Sequence, residues 1–357
     1  MTRSAAGRRV FFVEEPVFDG GPSLELRPSG GVTVAVPHLP SGHDHSAGQE
    51  QLRGLVDALV RQQAVAADRV LWFYTPMAME FAGHLEASCV VYDCMDELSA
   101  FASAPDGLRA NEARLLARAD LVFTGGRSLF EAKQALHPSV HAFPSSVDRS
   151  HFAFPGAADP ADQASLSHPR LGFFGVIDER MDLGLLDGLA LRHPEWSLVM
   201  LGPVVKIDPA VLPRRANITY LGAKPYSELP SYIARWDVAL LPFARNAATR
   251  FISPTKVLEY MAAGRPIVST SIRDVVEPYG SGGLVRIADT VEETSAAVIA
   301  ALAEPEAVRI AAFDRHLRTT SWDRVWADMA RLITDVTARA GREAIVRAPL
   351  GAAASAD

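Results

Sequence analysis

Short runs of β-branched and aromatic residues alternate with helix-period stretches along most of the chain, the pattern of successive βαβ units closing a parallel sheet. In the first half the strand-like runs are Val10 to Val13, Val32 to Val36, Val70 to Tyr74, Val90 to Tyr92, Leu121 to Thr124 and Val140 to Phe143, with helices predicted over 49–63 and 108–119. The pattern lapses over Pro155 to Asp162, where proline, alanine and glycine read as a linker. A second series starts at Leu171 to Gly175 and continues with Ser197 to Leu201, Ile218 to Leu221, Val238 to Leu241 and Ile267 to Thr270. The fold class predicted is α/β, with two Rossmann-like, doubly wound parallel-sheet domains facing across a cleft: 1–153, a linker at 154–168, and 169–320. Trp322, Val325, Trp326, Met329, Leu332, Ile333 and Val336 form one apolar stripe, so 321–345 is predicted to be a helix packing back on the domains. The alanine-rich tail 346–357 has nothing to bury and is predicted disordered.

The chain's 357 residues suit two domains rather than one. A net charge of -7 argues against the broad basic face that duplex DNA requires, and no nucleic-acid partner is expected. No apolar run is long enough to span a bilayer, and the start lacks the core and cleavage site of a secretory signal. With only Cys89 and Cys94, no disulfide framework is available, and a cytoplasmic location is expected. Of the 35 basic residues only Lys133, Lys206, Lys224 and Lys256 are lysine, so a lysine in a chemically suggestive place draws notice.

That place is the segment Phe251 to Thr270. Ser253 is predicted to cap a helix whose first position is Pro254, and Gly264 then ends it before Pro266 leads into a strand. Free amide groups at such a start, the Thr255 hydroxyl and the Lys256 cation suit a diphosphate, and Glu259, one turn on, can accept two ribose hydroxyls. Taken by itself, Ser-Pro-Thr-Lys also fits a capped core helix with Glu259 solvated.

The longer string Ser253 to Thr270 resembles the donor-binding signature of GT-B glycosyltransferases of the family 4 group, in which the glutamate before Ala-x-Gly-x-Pro binds the ribose of a sugar nucleotide. Pro144 to Asp148, Trp196 to Pro203, Asn217 to Gly222 and Tyr232 to Phe243 extend the likeness over most of the chain. Phe11 to Pro16, Tyr92 to Glu97 and Phe123 to Gly126 resemble a bacterial subset similar to teichuronic-acid-type transferases. The resemblance implies hexosyl transfer from a nucleotide diphosphate-sugar to a saccharide or lipid-linked acceptor in polysaccharide assembly, with retention at the anomeric carbon, no cofactor and no bound metal. It also implies that Gly175 with Val176 approaches the donor phosphates and that Gly222, Ala223 and Lys224 line the base. From the residues alone, Gly175 reads equally as a tight turn.

Two departures concern the donor side. Phe251 stands where the family carries a second glutamate, and after Gly175 only Arg180 stands in for the usual Arg and Lys pair. Arg180, Arg245, Arg250 or Lys256 can neutralise the leaving diphosphate. A third concerns the start: members of the subset carry another βα unit before the Phe-Phe-x-Glu-Glu-Pro strand, and nine residues precede Val10 here. The first sheet is therefore expected to lack its central strand, through a misassigned start, a shortened chain or a compensating rearrangement, and one normal seven-stranded sheet would contradict this.

On the acceptor side Asp93, Asp96 and Glu97 end a strand at the expected cleft, where a carboxylate such as Asp96 can orient a hydroxyl or merely cap a helix. His38, His43 and His45 read as a polar acceptor loop or a metal site, and Arg109, Arg114 and Arg118 as a solvated face or a weak peripheral membrane contact. The catalytic set expected is Lys256, Arg180 and Asp96. A sugar-nucleotide epimerase and a non-catalytic sugar-nucleotide-binding scaffold are the competing readings. No Gly-x-Gly-x-x-Gly follows the first strand of either series, which disfavours an NAD-dependent enzyme.

Overall fold

The computed structural model describes residues 1–42, 45–63, 69–101, 104–153 and 158–347, with side chains to 340. Two parallel-sheet α/β domains are present. The second holds six strands, β8 (Arg170–Phe174), β9 (Ser197–Leu201), β10 (Ile218–Gly222), β11 (Val238–Leu241), β12 (Ile267–Ser269) and β13 (Arg286–Ile287), in the order β10-β9-β8-β11-β12-β13. All five pairings are parallel. Chain direction across the sheet reverses between β8 and β11, which opens a crevice beyond their carboxyl ends. Full burial of β8, β9, β11 and β12 explains their near-continuous apolar runs.

The first domain has seven strands in two sheets rather than one. β1 (Phe11–Val13), β2 (Ser23–Ser29) and β3 (Val32–His38) are ordered β1-β3-β2, and β4 (Val70–Phe73), β5 (Cys89–Cys94), β6 (Leu121–Thr124) and β7 (Val140–Ala142) are ordered β4-β5-β6-β7. No ladder joins β1 to β4, although the Phe12 and Tyr74 rings approach to 6.2 Å. β2 escaped the pattern reading because it is an exposed antiparallel strand, with polar residues on both sides of Leu24 and Leu26.

The helix Trp322–Arg347 lays Met329, Leu332, Ile333 and Val336 on Cys89, Val91, Leu121 and Phe123 of the first domain, so the chain's last described helix packs on its first domain. The segment read as a linker is anchored where it is described. Gln163 is buried and bonds the Tyr232 carbonyl and the Trp236 indole, while Asp159 pairs with buried Arg170 at 2.7 Å. Among the described residues no helix is long and apolar enough to cross a membrane.

Candidate functional site

Three adjacent strands of the second domain end in glycine turns at its switch point. Gly175 follows β8 and Gly202 follows β9, both with φ +138, and Gly222 ends β10 with φ +70. They are stitched together: the Gly175 amide donates to Leu201 O at 2.9 Å and the Gly202 amide to Gly222 O at 2.8 Å. A Cβ on Gly202 would lie 1.8 Å from Gly175 O, so no side chain fits between the turns. Gly202 was missed in the sequence, although Leu201-Gly202 repeats the strand-then-glycine signal of Phe174-Gly175.

Lys256 lies over this row. A Cβ on Gly175 would come within 2.4 Å of Lys256 Cε and 2.9 Å of Nζ, and the ammonium stands 5.8 Å and 5.7 Å from the Phe173 and Phe174 ring centroids. Lys256 has no hydrogen-bond or ion-pair partner among the described residues. Burial pushes its pKa down, Glu259 opposes that shift, and Arg180 adds to it. Glu259 shares the pocket. It is 8% exposed and its Oε2 is buried without a partner. Burial raises its pKa, while Lys256, His151 and the Tyr226 hydroxyl draw it back. A half-buried, desolvated cation and a buried anion with unused bonding capacity, beside partly exposed backbone turns, make a site built for a ligand that is itself charged and hydroxylated.

The helix carrying both is Lys256–Ala262, and its N-cap is Thr255 rather than Ser253, with no side-chain cap bond. Ser253 instead lies against the first domain, its Cβ 2.7 Å and Oγ 3.2 Å from where a Gly126 Cβ would be. Thr255 is exposed and Pro254 half-buried, so packed protein does not seal the helix start. Because the helix is only seven residues long, Lys256 rather than the helix dipole supplies most of the positive charge.

Arg180 is less free than expected. Its guanidinium donates to both oxygens of buried Asp178, at 2.8 to 3.1 Å. Lys224 pairs with Asp162 and sits 5.3 Å over the Tyr232 ring, so its side chain is committed within the second domain. Val176 and Ala223 are exposed on the turns beside Gly175 and Gly222.

The three acceptor-side carboxylates diverge. Tyr92 and Cys94 face one side of β5 and Val91 the other, so Asp93 falls on the Val91 side, where its Oδ2 accepts from Trp72 Nε1 at 3.0 Å. Asp93 is 5% exposed, its Oδ1 has no partner, and burial pushes its pKa up to about 6 against the Trp72 bond. Glu97 pairs with Lys133 at 2.7 Å. Only Asp96 meets the opposite domain, where Arg180 and Lys206 offset a burial-raised pKa. Phe101 accompanies it across the cleft, 5.8 Å from the Arg180 guanidinium and 5.2 Å from Lys206 Nζ.

Sequence reading also missed a stacked pair beside Glu259. His151 and Tyr226 lie 4.4 Å apart and 4° from parallel, and the Tyr226 pKa is pushed up to about 12 by burial and then by Glu259. No local signal marks either residue. The histidines after β3 do not converge, since His38 bonds Asp19 and His45 bonds Glu80, while His43 lies outside the described residues. Of the three arginines on the helix Leu108–Arg118, Arg118 is tied to the Gly83 and Leu85 carbonyls and Arg114 to Asn111, whereas Arg109 is exposed.

The family described as "Glycosyl transferases group 1" matches residues 168–304, the span that holds the glycine row, Lys256 and Glu259. Residues 168–304 are a glycosyl transferases group 1 domain. The chain is 25% identical over 244 residues to TuaH of Bacillus subtilis (strain 168), whose name places it among glycosyltransferases of teichuronic acid biosynthesis. That match covers 63% of this chain and 61% of the relative's length. Among solved structures, the sucrose-phosphate synthase of Thermosynechococcus elongatus matches with a TM-score of 0.72 at 14% identity, covering 95% of this chain and 91% of that one. A trehalose-6-phosphate structure from E. coli bound with UDP-2-fluoro glucose matches with a TM-score of 0.64 at 13% identity, covering 94% of each chain. The two-domain arrangement is therefore that of GT-B proteins, and the group 1 domain is its second half.

Proposed function

We propose that the protein is a glycosyltransferase that moves a hexosyl group from a nucleotide diphosphate-sugar to a saccharide or lipid-linked acceptor. The observation that carries this reading is the pairing of uncommitted Lys256 with partner-short Glu259 beside the glycine turns. Lys256 meets the diphosphate, Glu259 accepts the ribose hydroxyls, and the backbone of Gly175 and Gly202 gives the phosphates close approach. The acceptor oxygen bonds to the anomeric carbon as the bond to the diphosphate oxygen breaks. The leaving group keeps the electron pair beside Lys256, and the acceptor proton passes to the departing phosphate. Retention at the anomeric carbon follows when the acceptor approaches from the face that the diphosphate leaves. Arg180, already neutralised by Asp178, positions Asp96 across the cleft. Lys256 supplies the charge compensation, so turnover is expected to survive a metal chelator.

Calorimetric titration with UDP-, GDP-, ADP- and TDP-sugars tests the donor site. Binding that persists in both Lys256→Ala and Glu259→Gln would remove it. One observation favours a second reading: Phe251 packs with the first domain's apolar cluster around Tyr92, Cys94 and Leu129, where the resembling family has a glutamate. Donor binding without turnover across a panel of saccharide and lipid-linked acceptors would establish a binding scaffold instead. The anomeric configuration of any product, read by proton NMR, decides retention.

A further inference from the structure

A groove of about 750 Å³ lies between the two domains. From the first domain it is lined by Glu97, Arg109, Glu112, Lys133 and aliphatic Leu116 and Leu136; the second domain contributes Arg250 and Phe251. Its charges are not equally available. Lys133 is consumed by Glu97 at 2.7 Å and Glu112 at 2.8 Å, and Glu112 also accepts from the Tyr92 hydroxyl at 2.8 Å. Arg109 and Arg250 are both exposed, and neither has an ion-pair partner among the described residues. The groove thus offers two guanidinium groups without ion-pair partners among the described residues, that of Arg250 lying 5.1 Å from the Phe251 ring centroid, beside an apolar wall, on a chain whose net charge is -7. Leu136 is 59% exposed and extends the apolar wall that Leu116 and Phe251 begin. The groove adjoins the donor cleft in the chain, because Glu97 follows Asp96 and Phe251 precedes Ser253 by two residues.

We propose that this groove is the acceptor subsite and takes a phosphorylated amphiphile, its phosphate held by Arg109 and Arg250 and its apolar chain lying along Leu116, Leu136 and Phe251. Guanidinium forks match phosphate oxygens in pairs, and an aliphatic wall beside them selects a ligand with an apolar stem over a free anion. The role as acceptor rests on the transfer reading above; the binding chemistry does not.

Titration of the full chain with farnesyl phosphate, farnesol and inorganic phosphate tests the assignment. Farnesyl phosphate is expected to bind at least tenfold tighter than either of the others. The double variant Arg109→Ala/Arg250→Ala is expected to weaken it at least tenfold, and Leu136→Ser to weaken it several-fold while leaving inorganic phosphate unchanged. All three positions are exposed, so folding is not at stake, and nucleotide-sugar binding is expected to be unaltered in Arg109→Ala alone and in the Leu136 variant, which lie outside the donor machinery. Farnesyl phosphate affinity indifferent to the double variant, or equalled by farnesol, would overturn the groove while intact nucleotide-sugar binding leaves the donor site standing. Absent nucleotide-sugar binding with arginine-dependent farnesyl phosphate binding retained would remove the acceptor role through the transfer reading instead.

Discussion

Two lysines, buried Lys133 in the first domain and half-buried Lys256 in the second, are used in opposite ways. Lys133 is 3% exposed and clasped by two carboxylates, whose hydrogen bonds raise its pKa against the pull of burial. Lys256 is placed over a backbone turn with no hydrogen-bond or ion-pair partner among the described residues, and desolvation lowers its pKa. A charge whose bonds are complete holds structure together; one left without them costs stability until something else supplies the counter-charge. The same contrast separates Glu97, complete with Lys133 and Ser99, from Glu259, which keeps a buried oxygen open.

The contrast is broken most sharply by removing each lysine. Lys133→Ala leaves the largely buried Glu97 and Glu112 without their shared cation and is expected to cost about 3 kcal/mol of stability, read by denaturant unfolding, with little specific effect on donor affinity. Lys256→Ala is expected to do the reverse: donor affinity falls about a hundredfold, while stability holds or rises, because a desolvated charge without an ion-pair partner has gone. Equal destabilisation by both would erase the distinction.

Asp93 sharpens it with pH. Its folded-state pKa of about 6 exceeds the ordinary aspartate value of 3.8, so its protonated form favours the fold. Its contribution is complete below the unfolded pKa and is lost as pH rises through about 6. Asp93→Asn keeps an acceptor for Trp72 and is expected to stabilise the protein by ~2 kcal/mol at pH 8 but hardly at pH 4, measured by thermal melts across that range. A gain independent of pH would mean that packing rather than charge decides. The smallest effect is expected from Tyr226→Phe, which removes one hydroxyl from beside Glu259 and should weaken donor binding about three- to fivefold without altering the fold.

Sequence alone determined the elements whose character is local. Buried parallel strands require apolar runs, and Leu121–Thr124, Ser197–Leu201 and Val238–Leu241 were legible to the residue. The stripe on the last helix was legible for the same reason, and so was the helix bearing Lys256 and Glu259, where a resemblance supplied the chemistry that spacing could only suggest. Tertiary structure decided whatever depends on which distant group arrives. Asp178 occupies Arg180, Asp162 occupies Lys224, and Asp93 turns to the opposite face of β5 from Tyr92. His151 meets Tyr226 across 75 positions of chain, and Phe251 crosses into the other domain's core. Periodicity records which face of an element is apolar, but a polar side chain's partner, and hence whether its charge is spent or open, is set only when the chain brings remote segments together.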